Sequence, residues 1–334
     1  MRATLELSFV VETLNLRDAH DFTPLDANLA ALSAQTLDPS LYETIVVVDP
    51  SVEPALQQYL ADRWPGVRVV TAPGAHYYAQ KNAGARAAHG RVVGYVDADC
   101  IAVPGWARAM IDALDRDTRA ACVVGRYDTP RSNTSAFAQA FLVTLFGHHC
   151  GRVARDISSV AASNSAFRCD DILAVPWLED PFFHGPDVDK ASRVAARGGR
   201  IMFVPEAQSI HDHEPGLAAQ HGRGLYWGYC FLRLRHEGPP TVPYSRLFRG
   251  LGPAAPVAVV PAKLAIDMLR LLERRRDLGL SLIGTIRVAC LLALNAFSTG
   301  LGALRYYAGL PPPQTPQNTR FAPASDASAV APSR

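Results

Sequence analysis

Two carboxylates stand two residues apart at the end of an apolar run. Val92-Val93-Gly94-Tyr95-Val96 passes directly into Asp97-Ala98-Asp99. In extended backbone, residues i and i+2 project to the same side. Ala98 between them is small, so both acids can address one ligand. Asp49 stands in the same way behind the β-branched run Ile45-Val46-Val47-Val48. Oxygen donors grouped like this suit a hard divalent cation. The competing reading is a solvated strand-to-turn junction, where Asp is common. A lone D-x-D would favour that reading. Here the acids follow a buried run and precede a turn and the helix opened by Pro104-Gly105-Trp106.

The elements that must position these acids alternate between strand and helix. Leu7 to Val11, Val67 to Val70 and Val92 to Val96 read as strands, and Ile45 to Val48 as a strand buried on both faces. Between them, Thr23-Pro24 opens a helix carrying Leu25, Leu29 and Leu32 at helical spacing. A second helix runs from about Glu53 to Trp64, and a third from Tyr77 to His89 ends at the cap residue Gly90. Strands separated by helices predict a mainly parallel α/β sheet flanked by helices. Ligands of such sheets bind outside the carboxyl ends of the strands. Asp49, Asp97 and Asp99 all fall there.

No G-x-G-x-x-G follows the first strand, and no G-x-x-x-x-G-K-[ST] occurs anywhere. The sheet therefore lacks the usual glycine-rich loop that grips phosphate through backbone N–H groups. A nucleotide diphosphate bound here needs other neutralisation, and a cation held by carboxylates provides it. The 334 residues carry a formal net charge of +2, which calls for no nucleic-acid partner. Only three of the 33 basic residues are Lys: Lys81, Lys190 and Lys263. The six cysteines are scattered without a C-x-x-C pair, and read as free buried thiols rather than a disulfide framework or a zinc site. The N-terminal apolar run is short and fits a first strand better than a signal peptide.

With these residues in place, the chain resembles the family 2 glycosyltransferases, which have the GT-A fold. The resemblance rests on "SFVVETLN" (8–15), "IVVVD" (45–49), "AQKNAGARAAHG" (79–90), "VGYVDADC" (93–100), "ASNSAFR" (162–168), "HGPDVDKASRVAARGGRI" (184–201) and "VPEAQSIHDH" (204–213). It covers about residues 5–230. It implies an NDP-sugar donor, a divalent metal (Mn2+ or Mg2+) and inversion at the anomeric carbon. By resemblance, Asp49 contacts the donor's base. Lys81 takes the place of a family Arg and reaches the diphosphate, without the planar fork of Arg. Asp99 contacts the metal, and Asp97 the ribose or a metal-bound water. Glu12 stands where the family often has Pro and faces the donor. His211 fits a metal-contacting His better than His213 does.

An inverting transfer requires a base for the acceptor hydroxyl. The family usually reads Glu-Asp at this point; this chain reads Pro186-Asp187, and the retained Asp187 is the expected base. Asp189 is the rival, with the alternative role of a first-turn acid favoured by the helix dipole. Arg193 braces that helix or contacts phosphate. Gln220-His221-Gly222-Arg223 is similar to the Q-x-x-R-W of processive members, but Gly224 replaces the Trp, so a processive polymerase is not expected.

From Leu251 to Leu272 and from Leu278 to Leu304 the chain is strongly apolar, with Arg270 and Arg274-Arg275-Arg276 between the two stretches. The second approaches membrane-spanning length, though Arg287 interrupts it. This pattern predicts association with the cytoplasmic face of a membrane, by spans or by in-plane helices. The expected layout is a GT-A domain over 1–230, a helical membrane-associated region over 231–310 and a disordered tail over 311–334. The expected activity is metal-dependent transfer of a sugar to a hydroxyl acceptor, a lipid-linked or cell-envelope glycan. The rivals are a non-catalytic sugar-nucleotide-binding membrane module and a sugar-nucleotide nucleotidyltransferase.

Overall fold

The computed structural model describes residues 5–14, 16, 21–50, 54–129, 135–179, 185–211 and 216–313. The elements in chain order begin with β1 Leu7–Glu12, α1 Thr23–Ser33, β2 Tyr42–Val48, α2 Leu56–Arg63, β3 Arg68–Thr71, α3 Tyr77–Ala87 and β4 Val92–Val96. They continue with β5 Cys100–Ala102, α4 Trp106–Arg116, β6 Ala120–Asp128, α5 Ala136–Phe146, β7 Arg155–Asp156, β8 Asn164–Arg168, α6 Cys169–Ala174, α7 Pro186–Ala196 and β9 Arg200–His211. The C-terminal helices are α8 Leu217–Glu237, α9 Ser245–Leu251, α10 Ala255–Arg274 and α11 Leu282–Tyr307. The six cysteines are free thiols.

Two compact units result. One comprises Met1–Asp128 with Arg152–His211, and the other Thr129–Gly151 with Asp212–Arg334. The boundary expected at 230 falls inside α8, which is unbroken from Leu217 to Glu237. The segment Thr129–Gly151, which holds α5 and lies well before the boundary expected at 230, belongs to the helical unit. The expected tail beyond residue 313 lies outside the described residues.

The first unit is built on one sheet of order β3-β2-β1-β4-β8-β6-β9-β5, with β7 paired to β9. β1 runs parallel to β2 and β4, and β2 to β3, as the strand-helix alternation predicts. The other half is mixed. β8 is antiparallel to β4 and β6, β6 is parallel to β9, and β5 is antiparallel to β9. β1, β4 and the second half of β2 are fully buried, which accounts for their unbroken apolar character. Gly94 in β4 is required by close approach: a Cβ there would lie 2.9 Å from the Trp106 ring. Trp106, buried at the start of α4, donates from Nε1 to Asn164 Oδ1 at 2.6 Å. The chain just beyond Asp97–Asp99 is thereby fixed to the sheet.

The sequence predicts a strand only over Ile201 to Val204. β9 instead runs on to His211. Pro205 would break a regular ladder, because it has no N–H to donate. The register jumps from Gly125↔Val204 to Arg126↔Gln208, so Pro205, Glu206 and Ala207 sit in an irregularity and pairing resumes beyond them.

In the helical unit, α8 and α11 pack along small residues. A Cβ on Gly228 would lie 1.8 Å from the Thr299 carbonyl oxygen, and one on Gly302 would lie 1.9 Å from that of Leu225. A Cβ on Gly224 would come within 2.6 Å of the Ser298 side chain, so no Trp fits at that position. In α10, which contains Pro261, the buried Asp267 carboxylate is held by Lys263 at 2.5 Å and Arg270 at 3.5 Å. Of the two apolar stretches, only α11 is long and apolar enough to cross a membrane among the described residues. Leu282, Ile283, Ile286, Phe297 and Leu304 leave it an exposed apolar face.

Candidate functional site

The Asp97-Ala98-Asp99 turn is held from beneath. Asn28 is buried on the apolar face of α1 beside Leu25, Leu29 and Leu32. Its Nδ2 donates to the carbonyls of Asp97 and Cys100 at 2.9 and 2.7 Å. From α3, Lys81 Nζ lies 2.5 Å from Asp97 Oδ1, and Tyr77 Oη donates to Asp97 Oδ2 at 2.7 Å. The Lys81 ammonium also sits 4.5 Å from the centre of the Tyr77 ring and 5.3 Å from that of Tyr95. Burial raises the Asp97 carboxyl above its ordinary pKa; the Lys81 charge opposes this, while that of Asp99 adds to it.

Lys81, expected to reach the donor diphosphate, is turned toward Asp97 in this structure. Its side chain is 0% exposed and is engaged with Asp97. α3 is buried around most of its circumference, and Gln80, Asn82, Gly84 and Ala85 are buried along with Lys81. The structure makes Lys81 the counter-charge of Asp97.

Asp99 meets His211 through strand pairing. β5 and β9 are antiparallel with Cys100 opposite His211, which brings His211 Nε2 to 3.5 Å from Asp99 Oδ2. Cys100 Sγ completes a group whose ligand atoms lie within 4.8 Å of one another. The Cys100 thiol is a poor member of that group. Burial, then the charges of Asp99 and Asp97, hold its pKa well above the ordinary thiol value, so it keeps its proton. A partly exposed carboxylate and an imidazole remain, and O and N donors suit Mn2+ or Mg2+. Both are close enough to bind one ion. His213 lies outside the described residues.

Asp187 arrives from the N-terminal turn of α7. It is partly exposed, and Tyr78 Oη donates to its Oδ1 at 3.2 Å. Its pKa is raised to about 7 by burial; the Tyr78 hydrogen bond and the Lys81 charge oppose the rise, and the Asp97 charge adds to it. Asp189 is different. It is 1% exposed and its Oδ2 takes Arg193 Nε at 2.7 Å, while Arg193 also donates to the Pro176 carbonyl at 2.6 Å. Asp189 and Arg193 thus brace α7, and Asp189 is closed to a substrate.

Glu12 ends β1, fully buried. Burial, then the charges of Asp97 and Glu12, hold the Tyr77 phenol well above its ordinary pKa, which puts both acids near that ring. Asp49 follows β2 at the same carboxyl edge, and its Oδ2 accepts the Gly74 N–H at 2.9 Å. Gly74 has φ +67, a left-handed turn that Gly adopts without strain. The sequence reading thus locates Glu12, Lys81, Asp97 and Asp187 around Tyr77 and Tyr78, with Asp99 and His211 alongside; Asp49 engages the turn after β3. It does not identify Asn28, Tyr77 or Tyr78. Asn28 was visible as a polar residue on an otherwise apolar helix stripe. The two tyrosines carried no signal beyond being adjacent.

Residues 20–170 match the family model described as glycosyl transferase family 2. The family 2 match includes Asn28, Asp49, Lys81, Asp97 and Asp99, and ends before Asp187 and His211. Among solved structures, the chain is similar to one titled "Crystal structure of GalNAc-T7 with UDP, GalNAc and Mn2+", with a TM-score of 0.50 and 16% sequence identity. That likeness covers 75% of this chain and 54% of the other, so this chain spans about half the length of that structure. At this identity the likeness is one of fold, and the fold of the family 2 domain is GT-A. No curated protein matches the chain.

Proposed function

We propose that the chain is a glycosyltransferase that moves a sugar from a nucleotide-sugar donor to a hydroxyl acceptor with inversion, Asp187 serving as the base. One observation carries the reading. The Asp97–Asp99 turn at the end of β4 and Asp187 at the start of α7 converge on Tyr77 and Tyr78 of α3, with His211 beside Asp99. Support for the donor class comes from the family 2 match and from the GalNAc-T7 structure, whose title names UDP, GalNAc and Mn2+.

In this reading Asp99 and His211 hold a divalent cation, which when bound supplies positive charge against the donor diphosphate. Asp97 is kept in place by Lys81 and Tyr77 and fixes the turn that carries Asp99. Glu12 and Asp49 stand at the carboxyl edge of the sheet on the side taken by the donor. Asp187 takes the proton of the acceptor hydroxyl as that oxygen attacks, and its displaced pKa suits a base working near neutral pH. The helical unit associates with the cytoplasmic face of a membrane, which favours a lipid-linked or cell-envelope glycan as acceptor.

The experiment is a panel of NDP-sugars assayed for metal-dependent transfer with the intact chain and with Asp187→Asn. Turnover of the variant falls by about 10²–10⁴-fold with donor affinity retained. Turnover by the intact chain rises as pH increases through about 7, because the base must lose its proton to act. Unimpaired turnover by Asp187→Asn would contradict the assignment.

A further inference from the structure

Asp187 and Asp97 lie 90 positions apart in sequence, yet two adjacent side chains reach them. Tyr77 and Tyr78 open α3, and both rings are buried. They stand edge to face with centroids 4.7 Å apart. Tyr77 Oη donates to Asp97, and Tyr78 Oη donates to Asp187 at 3.2 Å. The Tyr78 ring is also packed against Trp177, at 5.5 Å between centroids. Trp177 is tied down in turn by a reciprocal pair of hydrogen bonds: Asn82 Nδ2 donates to its carbonyl, and its N–H donates to Asn82 Oδ1, each at 2.9 Å. Tyr78 thus has little rotational freedom, and its hydroxyl is aimed at one carboxylate oxygen.

We propose that Tyr78 is a positioning residue for Asp187, whose hydroxyl orients that carboxylate and favours its ionised form. The proposal rests on the reading of Asp187 as the base but is tested separately from it. A donated hydrogen bond stabilises a carboxylate more than a carboxylic acid. The other groups facing Asp187 are Tyr77 and Lys81 on α3, Asp97 beyond β4 and Tyr127 on β6; α7 itself carries Lys190 and the Asp189–Arg193 pair. Burial and the Asp97 charge favour the protonated acid, and Lys81 favours the ion from within its own pair with Asp97. Among the described residues, Tyr78 is the group that acts on Asp187 through a directed contact.

The test is a carbon-13 NMR titration of the full-length chain labelled at the aspartate carboxyl carbons, with Asp187→Asn assigning the Asp187 resonance. In Tyr78→Phe the midpoint of that resonance rises by about one pH unit, the scale of one hydrogen bond to a charged acceptor. An unchanged or lowered midpoint overturns the proposal. Should Tyr78→Phe fail to fold, fluorotyrosine at position 78 keeps the ring and strengthens the donor, and the midpoint then falls; a rise or no change overturns the proposal equally. The kinetic counterpart uses whichever NDP-sugar the panel returns. Tyr78→Phe loses about eightfold in turnover at pH 6.5 and almost nothing at pH 9, as the displaced titration requires. An equal loss at every pH marks a merely structural Tyr78. Full turnover by Asp187→Asn would sink the base assignment while leaving the NMR result for Tyr78 intact.

Discussion

At the scale of single residues, the chemistry rests on charges taken out of water and paired. The clearest case is Lys81, 0% exposed and 2.5 Å from Asp97. Lys81→Met keeps the volume and leaves a buried carboxylate without its counter-charge. Removing one member of a buried pair costs about 3–5 kcal/mol, and urea denaturation of the variant should show a loss of that size at neutral pH. The deficit should shrink at low pH, where Asp97 takes up a proton. A deficit below about 1 kcal/mol at neutral pH would mean that the pair is solvated. Asp97, Asp99, Asp187 and His211 could be singled out in the sequence because their types and places fit a ligand site. The sequence hid Lys81's contact with Asp97 and the roles of Asn28, Tyr77 and Tyr78. These depend on contacts across 69 positions for Asn28 and 109 for Tyr78, and neither spacing nor composition encodes such distances. One signal was available. The chain has only three lysines, and each lies in an internal contact: Lys81 with Asp97, Lys190 with the Val175 carbonyl above Phe167 and Trp177, and Lys263 with Asp267.

At the scale of elements, the parallel half of the sheet could be read directly, because buried β-branched runs separated by amphipathic helices have few other arrangements. The mixed half could not. β5, β7 and β8 are short, and β9 passes through Pro205, a residue that argues against a strand until the irregularity opposite Gly125–Arg126 is seen. That extension matters to the site, because it sets His211 opposite Cys100 and so beside Asp99. The α8–α11 packing was also hidden, since Gly224 read as a missing Trp rather than as a place where two helices touch. Gly228→Leu drives a side chain into the Thr299 carbonyl, where even a Cβ would lie at 1.8 Å. Overpacking of this kind costs about 1–3 kcal/mol or more. Thermal unfolding should show the helical unit destabilised while Asp187 titrates as in the intact chain. An unchanged melting profile would contradict the packing.

At the scale of the whole molecule, the chain divides into a sheet unit that holds every candidate site residue and a helical unit with one helix of membrane-crossing length. Full-length protein should sediment with membranes at low salt. Recovery entirely in the soluble fraction would make the exposed face of α11 an ordinary apolar surface and remove the support for a lipid-linked acceptor. The central claim is that the Asp97–Asp99 turn with His211 is a metal-dependent nucleotide-sugar site. Titration calorimetry of the detergent-solubilised full-length chain tests it most directly, using UDP-, GDP-, dTDP- and CDP-sugars in Mn2+ and again in excess chelator, alongside Asp99→Ala. The account predicts saturable binding of at least one donor in Mn2+, lost both in chelator and in the folded Asp99→Ala variant. Equal binding in chelator, or undiminished binding by Asp99→Ala, would contradict it.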